Sequence, residues 1–320
     1  MMERLDPELV APLEGFLGAL GGGLDLENIA ATRAMLDSIV AAINAEAPAI
    51  EGVETEDRQV PGPAGAPDVP VRIYRPANRS EPLPALLWMH PGGWVLGSLE
   101  MEHLMAAQLA KDAQAVIVSV NYRLAPEHPF PAAPEDCYAA LKWVAAQADE
   151  LGVERTRIAV GGSSAGGALA AALALMARDR GDVDLCLQFL LYPPLDDRHV
   201  APAATQEPDT LFWTRGNSLV SWQAYLGDRF GADDVPAYAA VARAKDLRGL
   251  APAHLAVGSL DLFAKDNLEY ARRLIEAEVP TELHVYPGVC HAFDAFAPQS
   301  RVAQRFAGER IAVLKRALHG

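Results

Sequence analysis

"RIAVGGSSAGGALAAALALMARDRG", residues 157–181, changes its periodicity halfway along. "RIAVGG" is a short apolar run of strand type, while the Ala/Leu-rich stretch after Ser164 has helical character and stops at Gly181. Two serines, Ser163 and Ser164, therefore fall on a strand-to-helix turn between glycine pairs. When such a turn is tight its apex is strained, and the residues two before and two after the apex must be small so that strand and helix can approach. Ser164 has Gly162 and Gly166 at those positions; Ser163 has Gly161 and Ala165, which are also small, so spacing leaves two registers open. The glycine-glycine frame fits G-x-S-x-G and sets Ser164 at a helix start, where the dipole and free amides stabilise a developing oxyanion. Ser164 is the better-fitting apex. A Gly-Ser turn alone is also a common structural device without chemistry, so the flanking chain has to decide.

Outward from this stretch, β-rich runs alternate with helical ones: "VPVRIYRP", "ALLWMH", "AVIVSVNY", "RIAVGG", "CLQFLLYPP", "AHLAVGS" and "ELHVYPG". Strands alternating with helices predict βαβ units and a mostly parallel sheet, an α/β fold. The first 50 residues read as a separate helical segment, "DPELVAPLEGFLGAL" and "DLENIAATRAMLDSIVAAIN" split by "GGG" at 21–23, ahead of a catalytic domain over 51–320. One region, about 196–235, carries Phe212, Trp213, Trp222 and Tyr225 but no strand signal, and reads as a helical insertion at the ligand end of the sheet.

Composition narrows the partners. The chain has 320 residues, 51% of them hydrophobic, enough for a large core, and a formal net charge of −15 that repels nucleic acid and anionic membrane. A small molecule is the expected partner. Cys137, Cys186 and Cys290 are odd in number and widely spaced, giving neither a disulfide framework nor a metal motif. "MMERLDPELV" lacks the basic-then-apolar pattern of a signal peptide, and no apolar run reaches the roughly 18 residues of a membrane span. A cytoplasmic location is the expectation.

A serine hydroxyl attacks only when a base takes its proton, and the base needs a carboxylate to hold its tautomer. On a sheet of this kind the chain order is Ser, then Asp or Glu, then His, each on a loop after a strand. "AHLAVGSLDLF" brings Asp261 to the carboxyl end of one strand, and "ELHVYPGVCHAFDAF" brings His291 to the loop after the next. The competitors fit less well: Asp266 reads as a helix-start carboxylate, His284 lies within a strand, and Asp294 follows His291 too closely to reach its ring. Oxyanion donors are available in "WMHPGGWVLGS", as the amides of Gly92 and Gly93, with Ala165 as a third; His90 is expected to order that loop. Trp94, Phe212, Trp213 and Trp222 are candidates for the substrate pocket, and equally for packing a cap onto the sheet.

Together "HPGGW", "NYRLAPEHPFPAAPEDCYAAL", "GGSSAGG", "LLYPPLD", "GSLDLFAKDN" and "HVYPGVCHAFDAF" make the chain resemble, from about 70 to 300, a bacterial member of the hormone-sensitive-lipase family of α/β-hydrolases. The resemblance implies a cap built from the N-terminal helices and the insertion. It also implies hydrolysis of short- to medium-chain acyl esters without metal or organic cofactor. It gives the triad roles to Ser164, Asp261 and His291, and the oxyanion hole to Gly92, Gly93 and Ala165. It leaves room for a homodimer through the last strand and helix. Two positions depart from the family pattern: Pro91 replaces the first glycine of its HGGG run, and Ser163 stands where many relatives carry Asp or Thr. Proline has no amide proton, but the donors in the family are the second and third glycines. Other readings on the same scaffold are an amidase, deacetylase or thioesterase using the same triad, or a small-molecule receptor, which in some relatives has lost the triad histidine; here His291 is present.

Overall fold

The computed structural model describes residues 2–78, 81–200 and 211–320. Eight strands, β1 (Val53–Val60), β2 (Val69–Pro76), β3 (Leu83–Met89), β4 (Val116–Val120), β5 (Val153–Ser163), β6 (Leu187–Leu191), β7 (Ala253–Gly258) and β8 (Thr281–Tyr286), form one sheet in the order β1-β2-β4-β3-β5-β6-β7-β8. β2 runs antiparallel to both of its neighbours, and β3 to β8 are mutually parallel. The seven strand-like runs of the sequence correspond to β2 to β8. β1 is additional: half of "VETEDRQV" is charged, it pairs only with β2 at the sheet edge and half of its residues are exposed, so it lacks an apolar signature.

The helices are α1 (Pro7–Ala19), α2 (Ile29–Glu46), α3 (His103–Ala113), α4 (Ala132–Ala146), α5 (Ala148–Leu151), α6 (Ala165–Arg180), α7 (Arg215–Leu226), α8 (Ala264–Glu276), α9 (Phe293–Phe296) and α10 (Arg301–His319). They cover both faces of the sheet, which is why the central strands are apolar at every position instead of alternating. Alternate residues of β3 divide between two cores: Ala85, Leu87 and Met89 pack with residues of α4, α6 and α8, whereas Leu86 and Trp88 pack with residues of α1, α3 and α10. α6 is buried throughout Ala165–Ala177, and its alanines and glycines let it lie close to the sheet. Among the described residues no helix is long and apolar enough to cross a membrane.

The N-terminal segment is anchored at the carboxyl end of the sheet. Asp6 donates its amide to the Gly288 carbonyl, and Leu9 and Leu13 of α1 are buried among Tyr286, Val289 and Phe293. On α2, Arg33 donates to the carbonyls of Val95 and Ala125 and pairs with Glu127. Leu26, Val95, Leu96, Ala125, Trp213 and Phe263 share a small apolar cluster beneath that segment. Of the insertion expected over 196–235, residues 201–210 lie outside the described residues; the rest holds a 3₁₀ turn at Asp197–Val200, α7 and a further 3₁₀ turn at Gly227–Arg229.

Candidate active site

Ser164 joins β5 to α6 with φ 53° and ψ −121°, a conformation that costs a side-chain-bearing residue energy and holds only when its surroundings enforce it. The surroundings are backbone. A Cβ on Gly162 would lie 2.4 Å from the Gly166 carbonyl carbon, and one on Gly166 would lie 2.0 Å from the Met89 oxygen. The two glycines thus let β5, α6 and the end of β3 touch, and Ser164 takes the strain at the apex.

The Ser164 Oγ lies 2.9 Å from His291 Nε2, and His291 Nδ1 lies 2.8 Å from Asp261 Oδ2. A carboxylate only accepts, so Nδ1 carries the ring proton and Nε2 presents its lone pair to the serine hydroxyl. The second Asp261 oxygen, Oδ1, accepts from the Phe263 amide at 2.9 Å, which fixes the carboxylate. All three groups are buried, and they sit beyond the carboxyl ends of β5, β7 and β8. Cys290, adjacent to His291, is buried, and that burial pushes its thiol up to about 12, so it stays protonated.

Gly92 and Gly93 follow β3, and Ala165 opens α6, where first-turn amides have no carbonyl four residues back. Gly93 has φ +60°, and a Cβ there would meet Ser221 Oγ at 2.6 Å and the Trp213 ring at 2.7 Å. His90 orders this loop: its Nδ1 lies 2.8 Å from the Pro91 carbonyl, its ring stacks on Tyr122 at 4.1 Å, and the Tyr122 hydroxyl donates to the His90 carbonyl. Burial lowers the His90 ring to about 4, and a neutral ring facing a carbonyl must carry its proton on Nδ1.

The four aromatic candidates separate by position. Trp213 stands over Gly93 with its ring centroid 6.2 Å from that of His291. Phe212 lies between Phe16 of α1 and Phe296 of α9. Trp94 and Trp222 are fully buried and pack with Tyr225, Trp94 stacked on it at 4.4 Å.

Of the competing polar residues, none touches the His291 ring nitrogens. Asp294 accepts from the Tyr192 hydroxyl at 3.0 Å and pairs with Arg310; His284 pairs with Glu282 on its own strand. Asp266 lies 3.2 Å from His199 Nδ1, and His199 Nε2 lies 2.9 Å from Ser218 Oγ. That is a second Ser-His-Asp set, but Ser218 sits in the first turn of α7 with its amide bonded to the Thr214 carbonyl, without a strained turn. It fastens the insertion to α8.

Two residues near the site escape sequence reasoning. Tyr192, after β6, has φ +42° and stands edge-on to His291, and Ser163 hydrogen-bonds to its hydroxyl. Glu102 is buried, accepts from Trp88 Nε1 at 2.9 Å, and burial, aided by the nearby Asp294 charge, raises it to about 8. "LLYPPLD" contains Tyr192, but its partners lie on remote loops; Glu102 reads as one more charge in an acidic surface.

A doubly covered, mostly parallel sheet with a hydroxyl, an imidazole and a carboxylate in series at its carboxyl edge defines an α/β-hydrolase. Known proteins agree: the family described as "alpha/beta hydrolase fold" matches residues 86–295. Carboxylesterase NlhH of Mycobacterium tuberculosis is 40% identical over 266 residues, 82% of this chain and 83% of that one. A solved structure named Bacterial Heroin Esterase superposes with a TM-score of 0.92 at 40% identity, covering 100% of this chain and 99% of the other. Esterase LipW from Mycobacterium marinum gives 0.88 at 36% identity, covering 100% and 98%. The chain belongs to the hormone-sensitive-lipase family of α/β-hydrolases and is a carboxylic ester hydrolase.

Proposed function

We propose that the protein cleaves small esters of short to medium acyl chain by a two-step acyl transfer with Ser164 as nucleophile. His291, oriented by Asp261, takes the Ser164 proton as the hydroxyl attacks the ester carbonyl, and the amides of Gly92, Gly93 and Ala165 receive the oxyanion. His291 then protonates the leaving alcohol, and a water activated by the same ring releases the acid. The observation that carries this reading is the continuous Ser164–His291–Asp261 chain of contacts at 2.9 and 2.8 Å, with the serine on a strained turn. The preference for small acyl groups is supported by Trp213 and Phe263, which crowd the His291 ring.

The N-terminal segment and the insertion form the cap in this reading, supported by the contacts of Arg33 and of Leu26 above the β3 loop. A cytoplasmic location is supported by three free thiols. A homodimer is supported by the edge position of β8 and by exposed Leu268, Ile275 and Val285 on α8 and β8, and light scattering of the purified protein measures it.

The direct test is labelling with a serine-reactive fluorophosphonate, with the adduct located by mass spectrometry in wild type, Ser164→Ala and Ser163→Ala. An adduct on Ser164 that only Ser164→Ala abolishes supports the assignment; an adduct on Ser163, or none, overturns it.

A further inference from the structure

His254, near the amino end of β7, and Glu282 and His284, on β8, have no part in the ester chemistry derived above. Parallel pairing sets His254 opposite Glu282 and Ala256 opposite His284, so all three side chains project from one face of the sheet. One ligating atom from each falls within 4.8 Å of the others. His284 Nε2 and Glu282 Oε1 are already 2.8 Å apart, and the His254 and His284 rings meet edge to face at 5.0 Å. His254 is buried and held flat against Phe189, yet its Nδ1 has no hydrogen-bond partner among the described residues. A buried imidazole nitrogen without a partner is costly, and the ring that carries it lies next to a second imidazole and a carboxylate.

We propose that His254, Glu282 and His284 bind a divalent cation of the zinc class, which straps β7 to the edge strand β8. Two imidazoles and one carboxylate are a donor set for Zn²⁺, Ni²⁺ or Cu²⁺ and a poor one for Mg²⁺, whose coordination favours oxygen and water. Tetrahedral ligands at about 2.0–2.1 Å from zinc stand about 3.3 Å from one another. The three side chains must therefore close by at most about 1.5 Å, within reach of rotamer changes, and a water completes the shell. The cation enters from the sheet edge, where the His284 and Glu282 side chains are 27% and 39% exposed. It replaces the hydrogen bond between His284 Nε2 and Glu282, leaving the ring proton on Nδ1 toward Glu309, and releases Arg316, which pairs with Glu282 from a largely solvated position on α10. Glu309, 3.6 Å from His284 Nδ1, is placed to orient that ring from behind. β7 and β8 lead directly into the loops of Asp261 and His291, so the strap braces two of the groups in the site without touching substrate.

Thermal unfolding of the full chain, freed of metal with a chelator, tests this with ZnCl₂, NiCl₂ and CuCl₂, and with MgCl₂ as control. At a hundredfold excess over Kd the midpoint should rise by about 4 °C with the three transition metals and not with magnesium. His284→Ala and Glu282→Gln, each measured against its own metal-free midpoint, should lose the rise. Electron paramagnetic resonance of the one-equivalent Cu²⁺ complex of wild type should show hyperfine coupling to two imidazole nitrogens, a readout that needs no variant. No rise with any of the three metals, a rise retained in both variants, or copper without two-nitrogen coupling overturns the proposal.

Discussion

Tyr192 stands edge-on to His291, ring centroids 5.0 Å apart at 72°, while its hydroxyl donates to Asp294 at 3.0 Å. The imidazole has Asp261 at one nitrogen and Ser164 at the other, so Tyr192 is a wall against ring rotation, and Asp294 and Ser163 hold that wall. Tyr192→Phe keeps the wall and loosens it. We expect kcat of a p-nitrophenyl ester to fall about 3- to 10-fold with KM little changed, the scale of the hydrogen bonding lost with the hydroxyl. Tyr192→Ala should cost more, and Tyr192→Phe turnover equal to wild type would remove Tyr192 from the positioning role.

Gly93→Ala places a methyl group against Ser221 and the Trp213 ring at a positive φ that alanine resists. The loop must shift, and an oxyanion donor displaced by a fraction of an ångström should lower kcat by roughly 10²- to 10³-fold. Near-normal kcat in a folded Gly93→Ala protein would mean that this amide does not receive the oxyanion.

The tryptophans should divide by function according to what they touch. Trp94→Leu and Trp222→Leu remove fully buried rings packed about Tyr225 and should destabilise the fold by about 2–4 kcal/mol, read from urea midpoints, with acyl preference unchanged. Trp213→Ala opens space over Gly93 and His291 and should move preference toward longer acyl chains in a p-nitrophenyl ester series. An unaltered series would assign Trp213 to packing as well.

Burial raises Glu102 from an ordinary 4.5 to about 8. Between those values the folded protein keeps a proton that the unfolded chain has lost, so this group's contribution to stability falls as pH rises, by up to roughly 1.4 kcal/mol per unit. Glu102→Gln retains an acceptor for Trp88 and cannot ionise. Wild-type stability relative to Glu102→Gln should therefore decline from pH 4.5 to pH 8 and then level off; a constant difference across that range would place the carboxylate's titration elsewhere.

Legibility in the sequence follows how local each determinant is. The turn at Ser164 is written in five adjacent residues, and Asp261 and His291 each follow an apolar strand that announces itself. The central strands are legible because helices bury both of their faces, and the half-exposed edge strand β8 because Leu283 and Val285 alternate with polar residues, whereas β1, half in water at the other edge, has no comparable signature. What could not be read were side chains whose meaning lies in a remote partner. Glu102 matters because Trp88 and Asp294 surround it, and His199 because the insertion folds back onto Asp266. The exchange of Trp94 and Trp222 into the core, with Trp213 left over the site, likewise depends on how α7 turns against the β3 loop, which a run of aromatics does not encode.

The amide of Asp6 bonded to the carbonyl of Gly288 also sets an order of events during synthesis. At about 5–20 residues per second, α1 leaves the ribosome tens of seconds before the β8 loop that receives it. Until then Leu9 and Leu13 lack Tyr286, Val289 and Phe293, which help to bury them in the finished chain. α1 is made well before its partners yet is among the last helices to dock, and the N-terminal segment closes over the rest only when the residues that include His291 have emerged.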